Sequence, residues 1–119
     1  MPSDVLQLAG KALAALDTQS LVSLYADEFL FEDTSSGARL TTKEELRAYF
    51  DTLFSLPNVS FSEVSFFRMR NRGAGRWTWG GTSRQSGAEF TVSGASLFKL
   101  DEDTILEEVV FYDPRPAYS

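Results

Sequence analysis

The sequence predicts an α+β fold, a cone-shaped barrel in which three N-terminal helices pack on one curved antiparallel sheet. Two observations support this prediction. Apolar residues recur at helical spacing in the first half of the chain, and they alternate as in strands from Val59 onwards. Helices segregated from strands along a chain are typical of α+β domains and not of parallel α/β sheets. Residues 1–119 are expected to form a single domain, because this length suffices for one hydrophobic core.

Three helices are predicted, and each begins at a recognisable N-cap. The first extends from Ser3 to Leu16, and the second, shorter helix occupies residues 17–26. The third begins at Thr42, which lies three residues before Glu45 and so has the spacing of a capping box. Apolar residues recur at helical spacing in all three, so each helix can pack one face on a sheet.

The segment 25–33 joins the second helix to a short strand and ends in an acid. Residues 29–31 are too apolar and too aromatic for an exposed loop, so they predict a strand. Asp33 follows this strand, against a turn at residues 34–37. A carboxylate at the edge of an apolar cavity is a candidate for proton transfer, because desolvation disfavours the charged form and makes a better base. Alternatively, Asp33 only begins an Asx turn.

Four strands are predicted in the second half of the chain, where turns at residues 71–75, 85–87 and 101–103 separate them. The alternation of apolar residues changes phase near Glu63, which predicts a β-bulge or a strong bend. Long, bent strands with helices on one face form a cone. The mouth of such a cone is a natural ligand site.

Both faces of the predicted sheet carry apolar residues. The inward face of the last strand is expected to carry Val109, Phe111 and Asp113. The outward face is expected to carry a second apolar set, Leu97, Val110 and Tyr112. An apolar outer face is typical of an interface, so we expect a homodimer through this face of the sheet.

The composition excludes several kinds of chemistry. The chain has no cysteine and no histidine, so acid–base work falls to Asp, Glu, Tyr or Lys, and no thiolate or imidazole metal ligand is available. A formal charge of −6 argues against nucleic acid as a partner. No apolar run approaches the roughly 18 residues of a membrane span, and no signal peptide is recognised. A cytoplasmic protein is therefore expected, with no membrane contact, metal or organic cofactor.

Three motifs, in their order and spacing, carry a resemblance to a known superfamily. They are Tyr25-Ala26-Asp27 with Phe31-Glu32-Asp33, Lys43-Glu44-Glu45-Leu46 in the third helix, and the final strand from Ile105 to Asp113. On these residues the chain resembles the nuclear-transport-factor-2-like (cystatin-like) superfamily, and most of all its SnoaL-like branch of polyketide cyclases and ketosteroid isomerases. The resemblance covers nearly the whole chain and implies the cone-shaped fold. It does not imply one activity, because the superfamily also contains non-catalytic binding and association domains.

The resemblance to ketosteroid isomerases implies one catalytic residue, the base. The chain lacks the other two catalytic residues of those enzymes, which are their oxyanion donors. Their general base stands in a Glu-Asp-Pro setting that matches Glu32 and Asp33, followed here by Thr34. Their two oxyanion donors, a tyrosine and a protonated aspartic acid, correspond to Ala9 and Ser96. Ser96 could give one hydrogen bond, which stabilises an enolate less than that pair of donors. The resemblance therefore implies Asp33 as the base but argues against a true steroid isomerase.

The resemblance to polyketide cyclases implies acids from the late strands. Asp113 is expected to pair with Asp33 in one apolar pocket, with Glu107 as a further polar member. One carboxyl group would act as base and the other as acid, in the isomerisation or aldol cyclisation of a flat hydrophobic substrate. The residues expected to bind that substrate are Tyr25, Phe50, Phe54, Trp79, Val92, Ser96, Val109 and Phe111.

Three functions are open at the level of the sequence. The first is a SnoaL-like enzyme in which Asp33 and Asp113 move protons on a small hydrophobic ligand. The second is a non-catalytic small-molecule-binding or dimerisation module with the same pocket. A third class, a protein-interaction module, would be favoured by a cavity smaller than about 300 Å³, the low end for ligand pockets.

Overall fold

The computed structural model describes residues 4–119, so the N-cap expected at Ser3 lies outside the described residues. Within that range the elements, in chain order, are α1 (Val5–Ala14), α2 (Thr18–Val22), β1 (Tyr25–Asp33), β2 (Ala38–Leu40), α3 (Lys43–Phe54), β3 (Ser60–Met69), β4 (Arg72–Thr82), β5 (Glu89–Leu100), β6 (Ile105–Phe111) and a closing 3₁₀ helix (Arg115–Tyr118). None of these helices is long and apolar enough to span a membrane. The expected cytoplasmic location stays a prediction.

The strands form one sheet in the order β2-β1-β6-β5-β4-β3. Neighbouring strands are antiparallel except β1 and β6, which run parallel and so join the N-terminal strand to the C-terminal one. The apolar faces of the helices pack on one side of this sheet, and several apolar side chains are exposed on the other. The predicted class, a cone-shaped α+β fold, is confirmed, but the sheet is mixed and not purely antiparallel as expected, because β1 and β6 run parallel.

Side-chain caps define where each helix begins. At the start of α1 the carboxylate of Asp4 accepts a hydrogen bond from the backbone amide of Leu6. Asp17 caps α2 through the amide of Ser20, as predicted. The capping box predicted at the start of α3 is confirmed: the Thr42 hydroxyl accepts a hydrogen bond from the amide of Glu45, and the Glu45 carboxylate accepts one from the amide of Thr42. These caps orient the helices over the sheet, because each fixes the residue at which the chain turns.

β1 begins earlier, and α2 ends earlier, than the sequence predicts. The helix expected over residues 17–26 ends at Val22, and Tyr25 is already the first residue of β1. The strand conformation directs the Tyr25 ring into the core, where it contacts the ring of Phe29. The short strand β2 was also not predicted. It pairs with the end of β1, so the turn predicted at residues 34–37 is the turn of a hairpin.

The bulge predicted near Glu63 is confirmed. The pairing of β3 with β4 changes register between Ser62 and Ser65, and Glu63 itself has a positive φ of 50°. Such a bulge adds one residue and turns the later side chains to the opposite face. Phe61 before the bulge and Phe66 after it can therefore both pack towards the core, although one is odd-numbered and the other even-numbered.

A second bulge, at the start of β6, was not predicted. Leu100 pairs with Ile105, whereas the residue before Leu100 pairs with Glu107. Leu106 is therefore an extra residue on β6, and the alternation of the strand changes face after it. As a consequence Ile105 and Glu108 are both buried on the side of the helices.

This bulge makes the expected orientation of the last strand wrong. Val109 and Phe111 were expected to face the helices, but they face outward, where Phe111 is 43 % exposed. Val109 there lies beside Leu97, its partner on β5. Val110 and Tyr112 were expected to face outward, but they face the helices together with the buried side chains of β5.

Candidate functional site

Asp33 is the last residue of β1, and its carboxylate is buried, with 3 % exposure. Oδ1 accepts hydrogen bonds from the backbone amide and the hydroxyl of Ser35, at 2.9 and 2.6 Å. Oδ2 accepts hydrogen bonds from the hydroxyls of Tyr49 and Tyr112, both at 2.9 Å. The bond to the Ser35 amide is that of an Asx turn. One carboxylate oxygen therefore serves the turn, and the other faces two phenols.

Two elements far apart in sequence bring these phenols together. Tyr49 projects from the middle of α3, and Tyr112 directly follows β6. Their hydroxyl oxygens are 3.3 Å apart. Burial raises the pKa of Tyr112 to about 12 and also raises the pKa of Tyr49, so both phenols are neutral donors at neutral pH. We call Asp33, Tyr49 and Tyr112 the tyrosine–aspartate triad.

A cleft of about 480 Å³ opens over the triad, between α3, the turn after β1 and the closing 3₁₀ helix. The three triad residues line it. Its apolar walls consist of Leu40, Ala48, Leu53, Pro114 and Tyr118. Ligand pockets usually measure about 300–1,000 Å³, so the cleft is large enough for a small molecule.

The interior of the cone, on the other side of the two tyrosines, is almost filled. A void of about 30 Å³ lies there between the helices and the sheet. The rings that line it belong to Phe31, Tyr49, Phe50, Phe61, Trp77, Trp79 and Tyr112. Neighbouring rings are in direct contact, with centroids 4.9 Å apart for Phe31 and Tyr49 and 5.6 Å apart for Trp77 and Tyr112. Such a void holds one or two water molecules but no ligand, so the outer cleft is the candidate binding site.

A second acid, Glu108, is buried at the edge of this void, with 7 % exposure. The hydroxyl of Tyr25 donates to its carboxylate. Burial raises the pKa of Glu108 to about 7, while the hydrogen bonds of Tyr25 and Ser96 lower it in part. The Ser96 hydroxyl accepts a hydrogen bond from the indole N–H of Trp77, with an N–O distance of 3.0 Å. The Trp77 ring lies so close to Gly94 that a Cβ there would be 2.2 Å from it.

Several residues predicted to bind a ligand surround the interior. Tyr25 donates a hydrogen bond to Glu108, and Ser96 accepts one from the indole N–H of Trp77. Phe50 and Trp79 line the void, and Phe54 stacks on Phe50 with a centroid distance of 5.7 Å. None of these five side chains lines the outer cleft, and only Phe50 and Trp79 line the void itself.

The predicted pairing of Asp113 with Asp33 is wrong in its geometry. The Asp113 side chain is 48 % exposed and forms an ion pair with Arg115 at 2.7 Å. The hydrogen bonds from Arg115 lower the pKa of Asp113 to about 2, so it is a poor proton carrier at neutral pH. Val109 and Phe111 lie on the outer face of the sheet, and Val92 is buried in the core away from both cleft and void.

Three functional candidates were missed from the sequence: Tyr49, Tyr112 and Glu108. Tyr49 falls within the apolar pattern that predicts α3, but a tyrosine on an apolar face carries a polar tip that needs a buried partner. Tyr112 was expected on the outer face, and Glu108, four residues earlier, falls on the same face in a regular alternation. Among residues 4–119, no group of three or more acidic side chains is arranged to hold a metal ion.

The fold and the site together define a class of protein: an α+β cone with an acid at its mouth and a second acid inside. The chain belongs to the SnoaL-like domain family, whose model matches residues 6–114. No curated protein matches the chain by sequence.

Solved structures share the fold at low sequence identity. A protein of ketosteroid isomerase-like fold from Catenulispora acidiphila, in complex with trimethylamine, has a TM-score of 0.80 and 18 % identity, over 95 % of this chain and 88 % of that one. A candidate polyketide cyclase from Silicibacter has a TM-score of 0.79 and 15 % identity, over 94 % and 88 % of the two chains. A candidate isomerase from Bacillus subtilis has a TM-score of 0.75 and 17 % identity, over 93 % and 85 %. At these identities the likeness shows the fold alone.

Proposed function

We propose that this SnoaL-like domain binds a small, flat, hydrophobic carbonyl compound in the outer cleft and moves a proton on it, with Asp33 as the base. The observation that carries the proposal is the triad: a buried carboxylate at the wall of a ligand-sized cleft, held by two neutral phenols on one oxygen. The names of structural neighbours, polyketide cyclase and isomerase, support the same class of reaction.

The triad supplies both groups that enolisation requires. Asp33 Oδ2 accepts the proton from the carbon next to the carbonyl group, and the electron pair of the C–H bond moves into the enolate. The hydroxyls of Tyr49 and Tyr112 turn from Asp33 to the oxygen on which the negative charge develops. Asp33 then returns the proton to a different carbon in an isomerisation. In an aldol cyclisation the enolate carbon instead attacks a second carbonyl group, whose oxygen receives the proton.

Hydrogen–deuterium exchange of 1-tetralone, 2-tetralone and 3-cyclohexenone in D2O tests this function. All three are small ketones with exchangeable protons next to the carbonyl group, and NMR follows the exchange directly. We expect the wild type to accelerate exchange of at least one ketone. Asp33→Asn should abolish that acceleration, since an amide cannot accept the proton, while the ketone still binds in the cleft.

The matched control is Asp113→Asn, which removes an exposed acid outside the cleft. We expect this variant to exchange the ketone at the wild-type rate. The proposal fails if no ketone shows binding or accelerated exchange, or if Asp33→Asn and Asp113→Asn have equal effects.

The alternative of a dimerisation module is supported by a specific feature of the outer sheet face. Phe67, Ala74, Leu97 and Val109 are aligned across β3, β4, β5 and β6, and form one apolar row. Phe67 and Leu97 in this row are 63 % and 52 % exposed. An exposed apolar row of this kind is typical of a subunit interface.

The charges beside this apolar row favour a second copy of the chain as the partner. Arg72 and Arg76 flank the row on β4, whereas Glu107 flanks it on β6 and Glu32 extends it on β1. A two-fold axis near β5 would place the basic strand of each copy opposite the acidic strands of the other. We therefore propose a homodimer through this face, which sedimentation equilibrium of the wild-type chain tests.

A further inference from the structure

We propose that the substrate of the outer cleft is a cation, a carbonyl compound whose other end carries an alkylated ammonium group. In this proposal the carbon next to the carbonyl group lies at Asp33, and the ammonium group lies between Glu45 and the ring of Tyr118. The inference rests on the proposed function and names the charge of the substrate that the same cleft binds.

The charged side chains that line the cleft are both acidic. They are Asp33 at the end of β1 and Glu45 in the first turn of α3, and the lining includes neither lysine nor arginine. The side-chain ion pairs within residues 4–119 involve other carboxylates, so neither acid of the cleft is paired with a cation there. Two acids on one concave surface attract a positively charged ligand, because their fields add in the space between them.

Glu45 is held in place with one carboxylate oxygen free. Its Oε1 accepts hydrogen bonds from the amides of Thr41 and Thr42 and from the Thr42 hydroxyl, at 3.1, 3.3 and 3.2 Å. These bonds, that of the Thr41 amide first, hold the pKa of Glu45 below its ordinary value, so the side chain is negatively charged at neutral pH. Its Oε2 accepts no hydrogen bond from the described residues and is available to a ligand.

Tyr49 sets the distance between the two acids. Its hydroxyl donates to Asp33 at 2.9 Å, and Glu45 precedes it by one turn of α3. Side chains four residues apart lie on the same face of a helix, with Cβ atoms about 5–6 Å apart. Asp33 is thus at the hydroxyl end of the Tyr49 side chain, and Glu45 is near its backbone end. A ligand that lies along this side chain has one end at the base and the other at the second acid.

Tyr118 gives the cleft an aromatic wall. It lies on the closing 3₁₀ helix, is 51 % exposed and lines the same space as Tyr49 and Tyr112. The face of an aromatic ring attracts a cation, and proteins recognise alkylated ammonium groups through such rings. The cleft therefore favours an ammonium group over a neutral substituent of the same size.

The neighbouring basic side chains are directed away from the cleft. The guanidinium of Arg115 is 86 % exposed and pairs with Asp113. The ammonium of Lys43 donates to two backbone carbonyl oxygens at the junction of α2 and β1. Arg47 is two residues from the acid on α3 and does not share its face. Arg39 alternates on β2 with the residue that lines the cleft. None of the four is a counter-ion within the site.

Two ketones of equal shape, 6-trimethylammonio-1-tetralone and 6-tert-butyl-1-tetralone, test the inference by charge alone. Isothermal titration calorimetry gives the Kd of each, and the ratio of the two values is the readout. We expect the wild type to bind the cationic ketone at least about tenfold more tightly at about 10 mM salt, where charges are screened little. The ratio should fall in about 1 M salt, where the screening length is about 3 Å.

Glu45→Gln and Glu44→Gln separate a contact in the cleft from the net charge of the protein. The first change keeps the hydrogen bonds of the capping box and removes only the charge. Glu44 is the exposed neighbour on α3 and does not line the cleft, so its variant loses the same charge outside the site. We expect Glu45→Gln to lower the Kd ratio about fivefold, as for a charge lost at about 4 Å in water. Glu44→Gln should leave the ratio within about twofold of the wild type.

Variants of Tyr118 test the aromatic wall. Tyr118→Leu removes the ring and should lower the Kd ratio about two- to fivefold, whereas Tyr118→Phe keeps the ring and should restore the ratio. The ratio is the informative quantity, because a lost apolar contact weakens the binding of both ketones alike.

The outcomes distinguish this inference from the proposed function, because the first is measured by binding and the second by exchange. The inference is overturned by equal Kd values, by tighter binding of the neutral ketone or by a ratio that salt does not change. Equal ratios in Glu45→Gln and Glu44→Gln, or an unchanged ratio in Tyr118→Leu, overturn it as well. The proposed function then stands if Asp33→Asn abolishes the exchange that the wild type accelerates.

The reverse result is equally clear. If the cationic ketone binds more tightly but no ketone is exchanged, the proposed proton transfer fails and the charge of the ligand stands. If no ketone binds, both fail.

Discussion

Glu108 is a residue at which burial and ionisation oppose one another. Its carboxyl group is buried, and its hydrogen-bond partners are neutral hydroxyl groups. A buried carboxylate without a cation is costly, so the folded protein favours the protonated form. The pKa of about 7 in the folded chain, compared with an ordinary value of 4.5, expresses that preference. The residue binds its proton more tightly in the folded than in the unfolded chain.

Glu108→Gln is therefore expected to stabilise the protein at high pH. Because the folded pKa of Glu108 is raised, its proton stabilises the fold fully below the unfolded value of 4.5, and this contribution is lost as the pH rises through about 7. An amide has no such loss. The free energy of unfolding should be higher in the variant by about 1–3 kcal/mol at pH 8, and the difference should shrink below pH 5. Urea denaturation at both pH values measures it.

Glu102→Gln provides the control for this stability measurement. Its side chain is exposed in the turn between β5 and β6, outside the apolar row. The variant should differ from the wild type by less than about 0.5 kcal/mol at either pH, as surface substitutions usually do. A stability difference for Glu108→Gln that does not depend on pH would contradict a buried, titrating acid.

At the scale of residues, the sequence predicts the position of Asp33 but not the identity of its neighbours. Asp33 is recognisable because an apolar strand precedes it and a turn follows it. Glu108 lies on β6 and Asp113 two residues beyond its end, and the direction in which each side chain points decides which acid is buried. That direction depends on register, which two adjacent glutamates and two apolar faces leave undetermined.

At the scale of elements, α3 links the fold to the site, because it carries Tyr49 and Phe50 over the sheet. Its first turn is held by the capping box of Thr42 and Glu45. We expect Thr42→Ala to lower the free energy of unfolding by about 1 kcal/mol, since the backbone amide of Glu45 loses its hydrogen-bond acceptor. Thr41→Ala is the matched control and should change stability by less than about 0.5 kcal/mol. Equal effects of the two variants in urea denaturation would contradict the cap.

The two bulges show which elements a pattern can reveal. Around Glu63 polar serines alternate with apolar residues, so a change of phase is visible in the sequence. Around Leu106 each face of the strand carries one glutamate among apolar residues, so the two faces look alike in the sequence and an extra residue leaves no trace. The short strand β2 was missed for a related reason: three residues are too few to show any periodicity, and only pairing with β1 defines them.

At the scale of the whole molecule, the order of helices and strands is sufficient to predict the α+β cone, but not how full its interior is. The volume left in the cone depends on how rings from α3 and from β1, β3, β4 and the end of β6 pack in three dimensions. Aromatic residues that could line a ligand pocket could equally fill it, and composition does not distinguish the two cases. The binding site consequently lies further out than the sequence predicts.

The outer sheet face yields a prediction about assembly. Leu97→Lys places a charge in the middle of the apolar row, and we expect it to weaken self-association by more than about 30-fold, which corresponds to about 2 kcal/mol. Leu8→Lys changes another exposed leucine, on α1 and outside the row, and should associate as the wild type does. Sedimentation equilibrium distinguishes these outcomes. A wild-type chain that stays monomeric, or equal behaviour of the two variants, would contradict the homodimer.

The extra residue Leu106 determines which side chains of β6 face the helices. If β6 slid by one residue and the bulge closed, Glu107 would enter the chamber in place of Glu108, so a carboxyl group would still be present. Phe111 would then take the place of Tyr112, and Asp33 would lose one of its two phenols. The position of one extra residue thus determines which glutamate faces the interior and whether Asp33 has one phenol or two.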